Sequence, residues 1–273
     1  MKLHALMLIK NEGDFIERSL RYSSGYFDHI YVLDNGSSDG TWKIVTELAE
    51  SIPQIVPFKS DPRPYEGYLR GEIYNAYASR AQRGDWWCQL DGDEVYPEHP
   101  AAFLGAIPTS HHVVWSLHQN FYATEADVER WTRGAPGPSD GFTDLPRHYL
   151  VNHSEPRWFR HRPGLRWQPG NSFPHHMGLV HPRRLLVRHY QYRSPAQIQQ
   201  RFDTRREALA RGCEHFDHWS RAHWRDAITP NETLYEQHEG EAARVDESIL
   251  PRHLESTAKR VAKRIMHGLR IWP

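Results

Sequence analysis

The feature that most constrains this chain is a repetition in its first 95 residues. Short apolar runs end in polar turns and are followed by segments of helical periodicity. Leu3–Ile9 has the length of a buried strand rather than a helix. His29–Leu33 is β-branched and aromatic and reads as a second strand, Ile55–Phe58 as a third and Trp86–Leu90 as a fourth. Between them, Asn11 to Ser23, Thr41 to Ser51 and Glu72 to Gln82 carry helical spacing, with Trp42, Ile44, Val45 and Leu48 on one face of the second. Alternation of this kind predicts an α/β fold with a mostly parallel sheet flanked by helices. Ligands in such sheets gather outside the carboxyl ends of the strands. The polar turns starting at Asn11, Asp34 and Asp91 stand there.

The second half is less regular. Val113–His118 and Leu185–Tyr192 read as strands, Trp131–Pro146 as a long Gly- and Pro-rich loop, and Pro195–Arg211 as a helix capped by Ser194. A last helix is predicted over Leu250–Leu269. Leu250, Leu254, Ala258, Val261, Ile265 and Leu269 form its apolar stripe, and Lys259, Arg260, Lys263, Arg264 and His267 lie opposite. Such a stripe packs on its own domain, the commoner arrangement, or lies on an anionic membrane surface through residues 250–272.

Composition narrows the function classes. Lys and Arg number 34 and so do Asp and Glu, which disfavours bulk nucleic-acid binding. No stretch approaches the roughly 20 apolar residues of a membrane span. The N-terminal apolar run is too short for a secretory signal, and the two cysteines, Cys88 and Cys213, exclude a disulfide framework. The expected location is cytoplasmic, with peripheral contact on the inner face of the membrane as the variant. The charge is unevenly spread: residues 147–211 hold 13 Arg, no Lys and three acids, Glu155, Asp203 and Glu207. Guanidinium forks suit phosphate or carboxylate, although the chain as a whole favours Arg over Lys.

Three turns carry the chemistry. In Leu90-Asp91-Gly92-Asp93-Glu94, acids crowd the end of an apolar strand, and alternate carboxylates there suit Mg2+ or Mn2+. The plain alternative is a solvated turn. Asp34-Asn35-Gly36-Ser37-Ser38-Asp39-Gly40-Thr41 offers a carboxylate to a base edge or ribose, or only turn and capping chemistry. Asn11-Glu12 gains weight from its place on the same sheet edge. Cys213-Glu214-His215-Phe216-Asp217-His218 holds metal-capable side chains, but without the spacing of a closed zinc site.

Taken together, Leu8-Ile9-Lys10-Asn11-Glu12, Val32-Leu33-Asp34-Asn35-Gly36-Ser37-Ser38-Asp39-Gly40-Thr41 and Gly84-Asp85-Trp86-Trp87-Cys88-Gln89-Leu90-Asp91-Gly92-Asp93-Glu94 resemble glycosyltransferase family 2 enzymes of the GT-A fold, in the family's order and spacing. The resemblance implies a Rossmann-like sheet, an irregular acceptor-side half and C-terminal helices. It divides the chain into a glycosyltransferase domain over 1–212 (nucleotide-binding half 1–95, acceptor and metal half 96–212) and a helical extension over 213–273. It implies transfer of a sugar from a nucleotide diphosphate sugar, a UDP-sugar first among them, to the hydroxyl of a glycan or glycolipid acceptor, with inversion. Bacterial surface polysaccharide or lipopolysaccharide assembly is the expected setting. Asp34, Asn35, Glu12 and Asn11 would face the nucleoside, and Asp91 and Asp93 the ribose, metal and diphosphate. Asn75 lies near the family's Arg-Asn pair, with Arg70 the substitute for the missing Arg.

Val187-Arg188-His189-Tyr190-Gln191-Tyr192-Arg193-Ser194, with Arg201 after it, resembles an HY-x-x-RS segment of one branch of the family. There a late His is the third metal ligand, which here is His189, and Arg193 and Arg201 would hold the leaving diphosphate. Arg205 follows Arg201 by one helical turn. Inversion needs a base for the acceptor hydroxyl. The corresponding region, Trp167 to His176, holds no carboxylate. His175, His176 and Glu155 are therefore the candidates, with Asp140 and Asp144 behind them. A non-catalytic nucleotide-sugar-binding protein and a nucleotidyltransferase are the alternatives. The loop after the first strand lacks the Gly-rich basic character expected of the latter.

Overall fold

The computed structural model describes residues 1–134, 142–212 and 221–273. Asp140 and the Cys213–His218 segment lie outside the described residues. The chain divides into two compact units, one of residues 1–117, 154–187 and 251–273, the other of residues 118–153 and 188–250.

The first unit carries the expected alternation: β1 (Leu3–Ile9), α1 (Ile16–Ser23), β2 (His29–Asp34), α2 (Thr41–Ala49), β3 (Ile55–Ser60), α3 (Leu69–Tyr77) and β4 (Trp86–Asp91). Then come β5 (Glu94–Val95), α4 (Pro100–Gly105), β6 (Val113–Tyr122), β7 (His148–Arg160), β8 (Leu185–His189) and, at the end of the chain, α7 (Thr257–Gly268), where β6, β7 and β8 have residues in both units. The strand order is β3-β2-β1-β4-β7-β6-β8-β5. β1 pairs in parallel with β2 and β4, and β2 with β3, whereas β7 runs antiparallel to β4. The mostly parallel, helix-flanked sheet expected of the GT-A fold is therefore present.

Both faces of β1 are buried, which is why its sequence shows no polar alternation. Ala5, Met7 and Ile9 join one core with Ile16, Leu20, Val32, Val45 and Trp158. Leu6 and Leu8 join the other with Tyr31, Leu33, Leu69, Ile73, Trp87 and Phe159. β3 is an outer strand of this sheet, and it tolerates Pro57 and a register shift against Val32 and Leu33 because one side of its backbone has no strand to pair with.

The second unit contains α5 (Glu125–Thr132), α6 (Pro195–Ala210) and β9 (Tyr235–Glu236), the last paired antiparallel to β7 at His148 and Tyr149. Its small core gathers Ala123, Tyr192, Ile198, Phe202 and Ala227. Ser194 caps α6 as expected, its side chain accepting from the Gln197 N–H at 3.2 Å.

Several boundaries differ from the sequence reading, each for a local reason. The first helix starts at Ile16 rather than Asn11, because Asn11 adopts a left-handed φ of 54° and the Glu12 carbonyl takes the N–H groups of Phe15 and Ile16. The third starts earlier, at Leu69, and gives way after Tyr77 to a short 3-10 turn. β8 ends at His189 rather than Tyr192, and β6 continues to Tyr122. β7, 13 residues long, was not expected at all. The last helix is shorter than Leu250–Leu269, since Ser256 caps it and Leu250 and Leu254 precede it. Of the expected stripe Leu250 is buried, whereas Leu254, Val261, Ile265 and Leu269 are 40%, 48%, 53% and 67% exposed.

Candidate active site at the carboxyl edge of the sheet

Parallel register brings the sequence motifs to one level. Ile9 pairs with Asp34, Leu8 with Asp91 and Asp34 with Ser60, so the turns leaving β1, β2, β3 and β4 share one edge. The turns interlock there. The Asn11 N–H donates to Ser37 Oγ at 2.8 Å, and Asn11 Oδ1 accepts from the Ser38 N–H at 2.9 Å. Glu12, buried, donates its N–H to Thr41 Oγ1 at 2.9 Å. Asn35 Nδ2 donates to the carbonyls of Asp61 and Arg63 at 2.9 and 2.8 Å, tying the β2 turn to the segment after β3. Gly36 has φ +75°, and a Cβ there would lie 2.7 Å from Pro62 Cα. Only glycine fits such a position.

Asp34 is wholly buried and spends its carboxylate on this turn. It accepts from the Gly36 and Ser37 N–H groups, from Ser37 Oγ, and from Ser60 Oγ at 2.6 Å. Its observed work is to set the shape of the Asn35–Ser37 loop. Just beyond, Lys59, Asp61, Arg63 and Glu72 form an ion-pair network, with Arg63 Nη1 and Lys59 Nζ each 2.6 Å from a Glu72 oxygen. Sequence reasoning passed over this network, although the alternating charges at Lys59, Asp61 and Arg63 announce it.

The Asp91–Glu94 turn is held from beneath by two buried arginines. Gly92 lies against β1 and the Glu12 turn: a Cβ there would meet Ile9 Cγ2 at 2.9 Å and Glu12 Cγ at 3.3 Å. Arg70 Nη2 ion-pairs with Asp91 Oδ1. Arg157 Nη2 fans across three carboxylates, 3.0 Å from Asp91, 2.6 Å from Glu94 and 2.9 Å from Glu155. The Asp91 N–H also donates to Glu94 at 3.1 Å. Burial pushes the Glu94 carboxyl well up, Arg157 opposes this, and the nearby Asp91 and Asp93 add to it. Burial disfavours the charge on Arg157, yet Glu94, Glu155 and Asp91 together hold its guanidinium above its ordinary range. Asp91 does the same for Arg70.

Two guanidiniums thus serve three carboxylates, Asp91, Glu94 and Glu155, with Asp93 close to Glu94. Their oxygens are hard donors, of the kind suited to a divalent cation such as Mg2+ or Mn2+. Carboxylate oxygens have lone pairs to spare beyond the hydrogen bonds they accept. Arg157 was not singled out from sequence. The available signal was a lone Arg inside the apolar run Arg157-Trp158-Phe159, where a charge survives only if paired.

The candidate bases are placed differently. Glu155 is half-buried and shares Arg157 with Asp91 and Glu94. His175 and His176 are exposed. His176 stacks on Trp272 with centroids 4.2 Å apart, and its carbonyl accepts from Arg162 at 2.8 Å. Burial, His175, Lys263 and Arg162 all lower its pKa. Asn75 donates to the Trp167 carbonyl at 2.8 Å.

In the second unit, His189 Nδ1 lies 2.7 Å from Asn120 Oδ1. An amide oxygen only accepts, so Nδ1 is the donor in this contact. Asn120 is itself oriented by Asn152 Oδ1 at 2.7 Å, and Asn152 by the Tyr122 hydroxyl at 2.9 Å. The rings of His118 and His153 are 5.0 Å apart and those of His118 and His189 6.2 Å. Arg193 is buried and donates to the Tyr190 carbonyl at 2.8 Å, while Arg205 is buried and Arg201 half-buried on α6.

Comparison with known proteins agrees with the motif reading. The family model described as Glycosyl transferase family 2 matches residues 5–162. A search of curated proteins finds no match. Among solved structures, the mannosyltransferase PcManGT from Pyrobaculum calidifontis in complex with GDP-Man and Mn2+ is similar at 15% identity and a TM-score of 0.41, over 77% of this chain and 64% of that one. S. aureus TarS 1-349 is similar at 13% identity and a TM-score of 0.34, over 77% of this chain and 65% of that one. The chain spans just under two thirds of the length of either structure.

Proposed function

Because the chain belongs to glycosyl transferase family 2, we propose that it is a metal-dependent glycosyltransferase that moves a sugar from a nucleotide diphosphate sugar to an acceptor hydroxyl with inversion. The observation that carries this reading is the shared guanidinium of Arg157, which draws Asp91, Glu94 and Glu155 together at the sheet edge where β1 and β2 also end.

Asp34 organises the Asn35–Ser37 turn against which the nucleoside would rest, with Asn11 and Glu12 beside it. Asp91 and Asp93 would hold Mn2+ or Mg2+, which when bound supplies positive charge for the departing diphosphate. His189, in the other unit, is assigned to the same ion on the resemblance alone, and Arg193 and Arg201 to the diphosphate on the same ground. Arg70 holds one oxygen of Asp91, fixing the orientation of the carboxylate. Glu155 is the favoured base. It is the one candidate among the described residues that shares a cation with the Asp91 turn, and its partial exposure leaves it open to an acceptor hydroxyl. A carboxylate in that role accepts the proton as the oxygen attacks the anomeric carbon from the face opposite the leaving group. His175 and His176 are the replacements if Glu155 proves dispensable. A UDP-sugar donor and a glycan or glycolipid acceptor in surface-polysaccharide assembly complete the proposal.

A thermal-shift screen of UDP, GDP, dTDP and CMP, with and without Mn2+, tests it. Ligands that bind only the folded state raise the melting temperature by linkage. One diphosphate should stabilise the protein only when metal is present, and Asp93→Ala should abolish that shift. No shift under any condition overturns the reading. Binding without hydrolysis or transfer from any sugar donor would favour a non-catalytic binding protein.

A further inference from the structure

The C-terminal helix is mounted in reverse. An amphipathic helix on a soluble domain normally turns its apolar face inward. Here the polar face of α7 is the attached one. Lys263 Nζ donates to the Gly178 carbonyl at 2.9 Å and pairs with Glu255 at 2.9 Å. His267 Nδ1 meets both the terminal Pro273 carbonyl at 2.7 Å and Arg162 at 3.3 Å. The apolar face points away from the unit: Leu254, Val261, Ile265, Leu269 and Ile271 are 40%, 48%, 53%, 67% and 58% exposed. Val261, Ile265 and Leu269 recur at intervals of four, so they form one stripe along the helix.

Charge surrounds that stripe. From Leu250 to Pro273 the chain has six Lys or Arg, at 252, 259, 260, 263, 264 and 270, against a single acid, Glu255, which pairs with Lys259 and Lys263. On one flank, Arg260 and Arg264 lie close enough to His111 to hold down its pKa. Burial and His181 contribute more, and Arg160 adds to it. Arg260 and Arg264, with Arg160 near the same imidazole, therefore place positive charge beside the apolar strip on this unit. No helix among the described residues is long and apolar enough to cross a membrane.

An exposed apolar strip edged by guanidiniums matches the layered chemistry of one surface, acyl chains beneath anionic headgroups. We propose that α7 lies in the plane of an anionic bilayer, with Val261, Ile265, Leu269 and Ile271 in the acyl boundary and Arg260 and Arg264 against lipid phosphates. The cations are what favour this occupant over a second copy of the chain, since two such strips facing each other would oppose like charges.

The test is flotation of the full chain with vesicles of phosphatidylcholine alone and with 30 mol% phosphatidylglycerol, without donor or metal, so that the outcome is independent of the transferase reading. The protein should float with the anionic vesicles and not the neutral ones, and high salt should release it. Ile265→Glu should abolish flotation. Arg260→Gln with Arg264→Gln should weaken partitioning roughly thirtyfold, on the basis of about 1 kcal/mol per cation at the surface. Ile265 and Arg264 are exposed and Arg260 is half-buried, so far-UV circular dichroism and the unfolding midpoint should change little, which separates lost docking from misfolding. Absence of anionic flotation overturns the proposal. So does flotation that survives Ile265→Glu, and so does a dimer in light scattering that Ile265→Glu turns into a monomer.

Discussion

Replacing Arg157 by Met removes the cation that Asp91, Glu94 and Glu155 share while keeping a long unbranched side chain. The Arg157 side chain is 7% exposed and that of Glu94 is 1% exposed. Glu94 would be left as a buried carboxylate that accepts from the Asp91 N–H, with Asp91 and Asp93 close by. Breaking a buried pair by deleting one partner typically costs about 3–5 kcal/mol, because the surviving charge is neither solvated nor matched. At roughly 2–4 °C per kcal/mol for a chain of this size, the melting temperature should fall by roughly 6–20 °C. Urea unfolding followed by tryptophan fluorescence gives the free energy. The decisive comparison is the double variant Arg157→Met with Glu94→Gln. Removing the charge that Arg157 had matched should restore a large part of the loss, so the two substitutions should couple by about 1–3 kcal/mol. If Arg157→Met costs less than about 1 kcal/mol, or if the two losses simply add, Arg157 is not what makes the buried carboxylate cluster tolerable.

Glu155→Gln should lower the transfer rate by about 10²–10⁴-fold while leaving nucleotide binding in the thermal-shift assay unchanged, since a base acts only on the acceptor proton; unchanged turnover returns the role to His175 or His176. Gly36→Ala should cost about 1–3 kcal/mol in urea unfolding, given the positive φ and the 2.7 Å approach to Pro62 Cα, and a neutral effect would mean that the turn gives way easily. His4 is buried in a stack with His29 and Trp87, and burial, with His29 adding, lowers its pKa to about 4. The unfolded chain therefore takes up a proton near pH 6.5 that the folded chain refuses until about pH 4, so stability falls as pH falls through that window. Between pH 7.5 and 4.5 this site should account for about 2–3 kcal/mol, and His4→Phe should flatten that part of the profile. Asn120→Ala should weaken Mn2+ binding in isothermal titration by about 10–100-fold if His189 is a ligand, by freeing its imidazole to turn, and should leave it untouched if His189 is not.

The parts legible in sequence are those in which neighbours along the chain decide the structure. β1, β2 and β4 could be read from apolar runs because both faces of the sheet are covered, and their turns could be read because Asp, Asn, Gly and Ser have strong local preferences there. Parallel pairing then places Asp34 and Asp91 level without further information. The missed features depend on contacts distant in sequence. β7 contains Asn152, His153, Ser154, Glu155 and Arg157, a polar pattern unlike a core strand, and yet it lies beside β4 because Trp158 and Phe159 fill the two cores on either side. Arg157 belongs to that strand, so its partnership with the Asp91 turn could not be seen until the strand was placed.

Asp34 and Asp91 show why a motif does not fix a role by itself. Both are acids at the ends of parallel strands, and both were assigned to the donor by the same resemblance. The carboxylate of Asp34 is enclosed by the hydroxyls of Ser37 and Ser60 and by two backbone N–H groups, so all its observed interactions build the loop. Asp91 remains one third exposed, and its partners are two arginines, charges of the sign that a metal ion would bring. In this structure Asp91 is paired with two guanidiniums, and Asp34 builds a turn. Substituting Asp34 should therefore disturb the loop and lower stability together with nucleotide affinity, whereas substituting Asp91 or Asp93 should lower affinity chiefly when metal is present.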